Sequence, residues 1–175
     1  QGLTVELPEK QPSQYAVALK ISGEDLRGFK PELALPQVPA VTADAQGNFT
    51  LGADDADLHG TLRTETRGGR SNIGFWDSAS DYAAWKVNFS QPERFKVVAT
   101  CATTFAESSF IIEAAGQKIE GKATQTGSWE TFAEIELGVM EIKQAGEQMV
   151  TIRPRDAASW KAINLRQVRL VRMAQ

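Results

Sequence analysis

NIGFWDSASDYAAWKVNF, residues Asn72 to Phe89, decides how the rest of the chain reads. Trp85, Val87 and Phe89 alternate with Lys86 and Asn88, which is the two-residue period of a half-buried strand with one apolar face. Trp85 therefore belongs to the core. Ahead of it, Asn72, Gly74, Asp77, Ser78, Ser80 and Asp81 are turn-forming residues, and they place Phe75 or Trp76 on a connecting loop at a rim. Trp76 is out of phase with Ile73 and Phe75, so the expectation is an exposed indole at position 76. A helix over Asp77 to Lys86 fits less well than the strand period.

Working outward, strand signals recur about every ten residues and are separated by Gly-containing turns. Phe95 to Cys101 reads as a strand. Phe110 to Ala114 and Lys118 to Ala123 form a hairpin across Ala115-Gly116-Gln117. Thr131 to Leu137 follows Trp129, Met140 to Lys143 and Met149 to Arg153 flank a turn at residues 144–147, and Leu165 to Val171 closes the chain. Eight or nine strands with one apolar face each predict an all-β fold. The expected arrangement is an antiparallel two-sheet β-sandwich, with sheets about 10 Å apart, built as a jelly roll.

Upstream, Leu3, Val5 and Leu7 alternate with polar residues, Pro8 and Pro12 interrupt, and Tyr15, Val17, Leu19 and Ile21 resume the alternation. This is a β-hairpin signal over residues 1–22. Residues 23–47, with Pro31, Pro36 and Pro39 and no sustained period, read as a linker or extended arm. The sandwich is expected over 48–175. Gln1 reads as a trimmed start, without initiator Met or signal peptide.

The 175 residues carry 19 basic and 22 acidic side chains for a formal charge of −3. That balance lacks the basic stripe of a nucleic-acid-binding surface. The cluster Arg153, Arg155, Arg166, Arg169 and Arg172 reads as a solvated strand face. No apolar run approaches the ~20 residues of a spanning helix. Cys101 is the single cysteine, so no intrachain disulfide forms, and its phase with Phe95, Val97 and Ala99 predicts a buried, inert thiol. His59, the single histidine, has no second histidine or cysteine with which to hold a transition metal. No nucleophile motif, metal-ligand pair or phosphate loop is present. Asn48-Phe49-Thr50 and Asn88-Phe89-Ser90 are formal glycosylation sequons.

Five motifs in order, from about Phe49 to Arg172, carry a resemblance. Ala53-Asp54-Asp55-Ala56-Asp57-Leu58-His59-Gly60 is an opening of the type A-E-x-A-x-L-x-G, and Ile73 to Val87 follows the pattern I-G-Y/F-W…D-Y/W-V-x-W-x-V. Phe95-Lys96-Val97, Thr126 to Phe132 (TGSWETF) and Asn164 to Leu170 complete the order. In these the chain resembles the galactose-binding-like β-sandwiches, especially the family 6 and family 35 carbohydrate-binding modules appended to bacterial fucosidases and sulfatases. The N-terminal hairpin resembles the last strands of the β-domain behind the catalytic barrel of family 29 fucosidases.

The resemblance implies a noncatalytic module of a larger secreted or periplasmic glycoside hydrolase or sulfatase, with carbohydrate and an upstream catalytic domain as its partners. It implies a cleft at one end of the sandwich lined by Phe75 or Trp76, by Trp129 and by Asn164; the last loop, carrying Trp160, approaches the same cleft. An indole suits such a ligand, because the apolar face of a pyranose stacks on it while polar neighbours take the hydroxyls. Each residue also has a plainer reading. Trp129 shares phase with Ile135 and Leu137 and fits a core cap, Trp160 fits packing on strand ends, and Asn164 fits a strand-start turn. The resemblance further implies a structural calcium, for which Asp54 fits one ligand position while Arg166 occupies the other. A guanidinium there opposes an ion that takes six to eight oxygens. The alternative function is a structural accessory domain that braces the parent enzyme without sugar affinity of its own.

Overall fold

The computed structural model describes residues 38–173; the expected hairpin over 1–22 and the linker as far as residue 37 lie outside them. Eleven strands run in order: β1 (Phe49–Gly52), β2 (Asp57–His59), β3 (Arg63–Arg67), β4 (Arg70–Gly74), β5 (Tyr82–Phe89), β6 (Glu93–Ala102), β7 (Glu107–Ala114), β8 (Gln117–Thr124), β9 (Ala133–Ile142), β10 (Gly146–Pro154) and β11 (Asn164–Arg172). Among the described residues the one helical element is a 3-10 turn at Ala53–Asp55, and no helix is long and apolar enough to cross a membrane. The predicted all-β class is what forms.

Two antiparallel sheets face each other. One has the order β2-β5-β10-β7-β8, and the other β3-β4-β11-β6-β9 with β1 also on β11. In both, an edge is shared by two short pieces. β4 pairs with β11 at Leu165, and β1 takes over that same edge from Gln167 to Leu170. Likewise β2 covers β5 from Tyr82 to Ala84, and Val41 bridges Val87 further along, with hydrogen bonds to the Lys86 carbonyl and from the Asn88 amide at 2.8 and 2.9 Å. Within residues 38–47, expected as the end of the linker, Val41 therefore pairs with β5, and a turn follows in which the Asp44 carboxylate accepts from the Gln46 and Asn48 amides at 2.9 and 2.8 Å.

The alternation read from the sequence fills the space between the sheets. Trp85, Val87 and Phe89 of β5 with Phe110, Ile112, Val150 and Ile152 meet Phe95, Val97, Ala99, Leu165, Val168 and Leu170, all buried. At about 1.5–3 kcal/mol for each large apolar side chain removed from water, this core holds the sandwich without a disulfide. Burial pushes the Cys101 thiol up to about 12, as expected of an inert one.

Two expectations change in detail: the strands of the described residues number eleven rather than eight or nine, and two expected segments merge. The segments Thr131 to Leu137 and Met140 to Lys143 are one strand, β9, kinked at Gly138, where φ is 139° and the register with β6 slips. The turn that follows carries the chain from one sheet to the other, since β9 pairs with β6 and β10 with β5 and β7.

Candidate functional site

The loops after β4, β6, β8 and β10 converge at one end of the sandwich, and hydrogen bonds, several of them buried or part-buried, lock them together. Thr103, fully buried, donates from its hydroxyl to the Ala162 carbonyl at 2.9 Å and accepts from the Phe105 amide at 3.2 Å. The Thr103 carbonyl takes hydrogen bonds from both the amide and the hydroxyl of Thr126, at 2.9 and 3.1 Å. The Asn164 amide at the start of β11 donates to the Trp129 carbonyl at 3.1 Å. Ser128 caps the same loop, accepting from the Glu130 and Thr131 amides at 3.2 and 3.0 Å. Loops tied in this way hold their side chains without waiting for a ligand, which is the condition for a preorganised site.

The residue that shapes the rim is Phe75. Its φ of 58° is left-handed, a conformation a bulky residue adopts only where the surroundings impose it. Gly74 before it has no room for a Cβ, which would lie 2.5 Å from the Glu65 carboxylate and 3.2 Å from Asn164. The twist breaks the strand alternation at the end of β4. Phe75 swings outward with 53 % of its surface exposed, and the Arg63 guanidinium lies 5.6 Å from its ring centre.

Trp76 consequently turns inward, which corrects the expected exposed indole: it is fully buried, and its N–H donates to the Asp81 carbonyl at 3.1 Å. Trp160 is also buried rather than open to the cleft. It packs on Trp76 at 5.1 Å between ring centres and donates its N–H to the Trp76 carbonyl at 3.1 Å. Trp85 donates to the Gly52 carbonyl at 2.8 Å. A buried indole needs such a partner, and these three have one. Trp129 alone of the four tryptophans is half-exposed.

A cleft of about 180 Å³ opens between these groups, lined by Glu65, Arg67, Phe75, Asp77, Trp129 and Asn164, with Trp76, Ala162 and Ile163 beneath. That is smaller than the roughly 300–1,000 Å³ of pockets that engulf a drug-sized ligand. It suits a small rigid unit held between aromatic rims. Phe75, Trp129 and Asn164 of the sequence candidates come together here, with the buried Trp76 as part of the floor, whereas Trp160 does not line it.

Glu65 and Arg67, two residues apart on β3 and so on the same face, are cleft residues that sequence reasoning missed. Their signal was the alternation Arg63-Thr64-Glu65-Thr66-Arg67, which puts three charges on one strand face. Arg67 pairs with Glu65 at 3.0 Å, and the Asn72 amide donates to the other carboxylate oxygen at 3.2 Å. Burial works to raise the Glu65 pKa, but the hydrogen bonds from Arg67 and Asn72 and the Arg67 charge outweigh it and hold the carboxyl below its ordinary range. Glu65 is therefore an ionised acceptor, the opposite of the raised carboxyl that a glycosidase uses as general acid.

Asp81, buried behind the rim, ties the β4–β5 loop to the turn before β3. It accepts from the Thr61 amide at 3.0 Å and the Thr61 hydroxyl at 2.7 Å. Gly60, at φ 89°, leaves the space: a Cβ there would lie 2.1 Å from the Asp81 carboxylate.

Asp54 is exposed on the 3-10 turn and is not among the cleft residues. Among the described residues, no group of three or more His, Cys, Asp or Glu is placed to hold a metal ion. At the second position that the resemblance assigns to calcium, the Arg166 guanidinium lies 3.7 Å from the centre of the Phe132 ring and donates to the Arg67 carbonyl at 3.0 Å. A stacked cation does not fit that role. His59, stacked on Tyr82 at 4.1 Å, lies outside the cleft lining.

The fold places the chain among β-sandwiches that include carbohydrate-binding modules. It is similar to a family 35 carbohydrate-binding module from Clostridium thermocellum, with a TM-score of 0.60 and 18 % identity over 70 % of this chain and 95 % of that one. A family 6 module from Cellvibrio mixtus lichenase 5A, in complex with cellotriose, gives 0.59 and 22 % over 71 % and 97 %. The Podospora anserina GH26-CBM35 β-(1,4)-mannanase gives 0.62 and 17 %, the match spanning 74 % of this chain and 28 % of the mannanase. At these identities the likeness establishes the shared sandwich architecture. No protein-family model matches the chain, and no curated protein matches it in sequence.

Proposed function

We propose that the chain is a noncatalytic carbohydrate-binding module that holds a larger, secreted glycan-active enzyme on its substrate. The observation that carries this reading is the cleft itself: Phe75 held outward by a left-handed backbone, a half-exposed Trp129, and between them the fixed polar groups of Glu65, Arg67 and Asn164. Aromatic faces take the C–H faces of a pyranose, the Glu65 carboxylate accepts from hydroxyls, and guanidinium and amide donate to them. Modules of the same fold include one from Cellvibrio mixtus in complex with cellotriose and a β-1,3-glucan-binding one from Bacillus halodurans. A fucosidase or sulfatase as the parent enzyme is our reading of the motif order and of the alternating apolar pattern over residues 1–22 of the sequence.

Tryptophan emission tests it directly. Three indoles are buried, so a ligand reaching the cleft perturbs Trp129. Titration with fucose-, galactose-, xylose-, glucose- and mannose-containing oligosaccharides is expected to give a saturable change with at least one of them, and Trp129→Phe to abolish it. Silence across the panel would favour the bracing role. Turnover of a chromogenic glycoside by the isolated chain would overturn both.

A further inference from the structure

Phe105 stands beside the cleft without a role in it. It sits in the loop between β6 and β7 with 41 % of its surface exposed, and its ring meets Trp129 edge to face at 6.1 Å and 72°. Trp129 thus has two aromatic neighbourhoods: the cleft, where it lies with Phe75, and the side that faces Phe105, which is not a cleft residue. Single exposed apolar residues are ordinary on a protein surface. What sets Phe105 apart is its support. Its amide is hydrogen-bonded to the buried Thr103 hydroxyl at 3.2 Å, and Thr103 is the same residue that fixes the Trp129 loop through Thr126 and the loop before β11 through Ala162. One buried residue, through its hydroxyl on the Phe105 side and its backbone carbonyl on the Trp129 side, therefore anchors the loops that carry both rings, and their spacing is built into the fold rather than left to a flexible tip.

Resting on the reading of the cleft as a saccharide site, we infer that Phe105 forms a second subsite, so that the module recognises a neutral oligosaccharide of at least two contiguous units. The first unit occupies the cleft between Phe75 and Trp129, and the next crosses the Trp129 edge onto Phe105. A neutral chain fits the charges present. Arg67 is engaged by Glu65 at 3.0 Å and also faces Glu130 at 3.8 Å, so the guanidinium on this side is already matched by carboxylates.

Calorimetric titration with glucose, cellobiose and cellotriose, with laminaribiose and laminaritriose, and with mannose, mannobiose and mannotriose separates the subsites. For the series that binds, the disaccharide is expected to bind roughly tenfold more tightly than its monosaccharide. Phe105→Ala is expected to erase that gain and leave the monosaccharide affinity unchanged. Phe105→Leu keeps an apolar contact for Trp129 but offers no ring face, and it is expected to behave like Phe105→Ala, whereas Phe105→Tyr is expected to retain the gain. Because Phe105 is partly exposed, all three variants should keep the thermal midpoint of the parent chain. Equal loss of mono- and disaccharide affinity in Phe105→Ala, rescued by Leu, would reduce Phe105 to a prop for Trp129 and overturn the second subsite. A binding series with no length dependence would also overturn it while leaving the cleft as a saccharide site. No binding by any of these sugars, nor by the fucose-, galactose- and xylose-containing oligosaccharides of the emission titration, removes the cleft reading and this inference with it.

Discussion

Phe75 concentrates the residue-scale argument, because its backbone and its side chain pull in opposite directions. A left-handed φ in a bulky residue is strained by about 1–2 kcal/mol, and the ring it displays is more exposed than buried. Glycine relieves that strain, offset by the ~0.5–1 kcal/mol entropic penalty of its flexibility. Phe75→Gly is therefore expected to change stability by less than about 1 kcal/mol in urea denaturation, while weakening glycan binding at least roughly tenfold. A loss of binding matched by an equal loss of stability would count against a ligand-facing role. The same residue explains what the sequence concealed. Strand phase made Phe75 the inward neighbour of Ile73 and Trp76 the outward one, and a single left-handed residue reversed both. Trp85, in an unbroken alternation, was legible. Trp129 and Asn164 were reachable from motif order, but Glu65 and Arg67 sit in a strand with no apolar residue to mark its inner face.

At the scale of elements, the rim depends on the clamp between the β4–β5 loop and the turn before β3. Asp81 is its centre, and it works as a carboxylate. Burial works to raise its pKa, yet the Thr61 amide and hydroxyl, with Ser80 and Ser78, outweigh burial and bring it below the ordinary value of 3.8. A depressed folded-state pKa contributes stability that is fully present above the unfolded-state value and is lost as pH falls through the folded one. The chain should therefore lose stability below about pH 4. Asp81→Asn keeps the shape but removes the charge and replaces one acceptor oxygen with a donor, which must face either Thr61 or the Ser80 hydroxyl, both donors to the native carboxylate. It is expected to lower stability at pH 7 by about 1–3 kcal/mol and to flatten the acid limb of the stability profile, read from urea midpoints between pH 2.5 and 7. An unchanged acid limb in the variant would assign the acid sensitivity elsewhere. Most strands were legible because each shows two-residue alternation over five or more positions. The pieces that were not, β1, β2, β3 and β4, are short, polar or interrupted by turns, and their places are set by the edges of β5 and β11 rather than by their own pattern.

For the whole molecule, the order of strands makes the sandwich close late. β11 is last in the chain yet central in its sheet, bonded to β6 on one side and to β4 and β1 on the other. The six-stranded sheet lacks its central strand until Asn164–Arg172 is in place, and without it the β2-β5-β10-β7-β8 sheet has no complete face to pack on, so opening the interior should mean losing the fold as a unit. Cys101 reports on this. It lies on β6 opposite Leu165, buried between the sheets, with its thiol pushed up to about 12 by burial. A thiol reagent needs the thiolate, and here it is denied both access and ionisation. Native protein at pH 8 is expected to resist a disulfide-exchange reagent for hours, and in a urea series the labelled fraction should rise at the same midpoint as the change in emission from the three buried tryptophans. Both signals come from the same inter-sheet layer, one chemical and one spectroscopic. Labelling that precedes the emission change would mean that β6 becomes accessible through local opening, and that the closing strand does not hold the two sheets as one cooperative body.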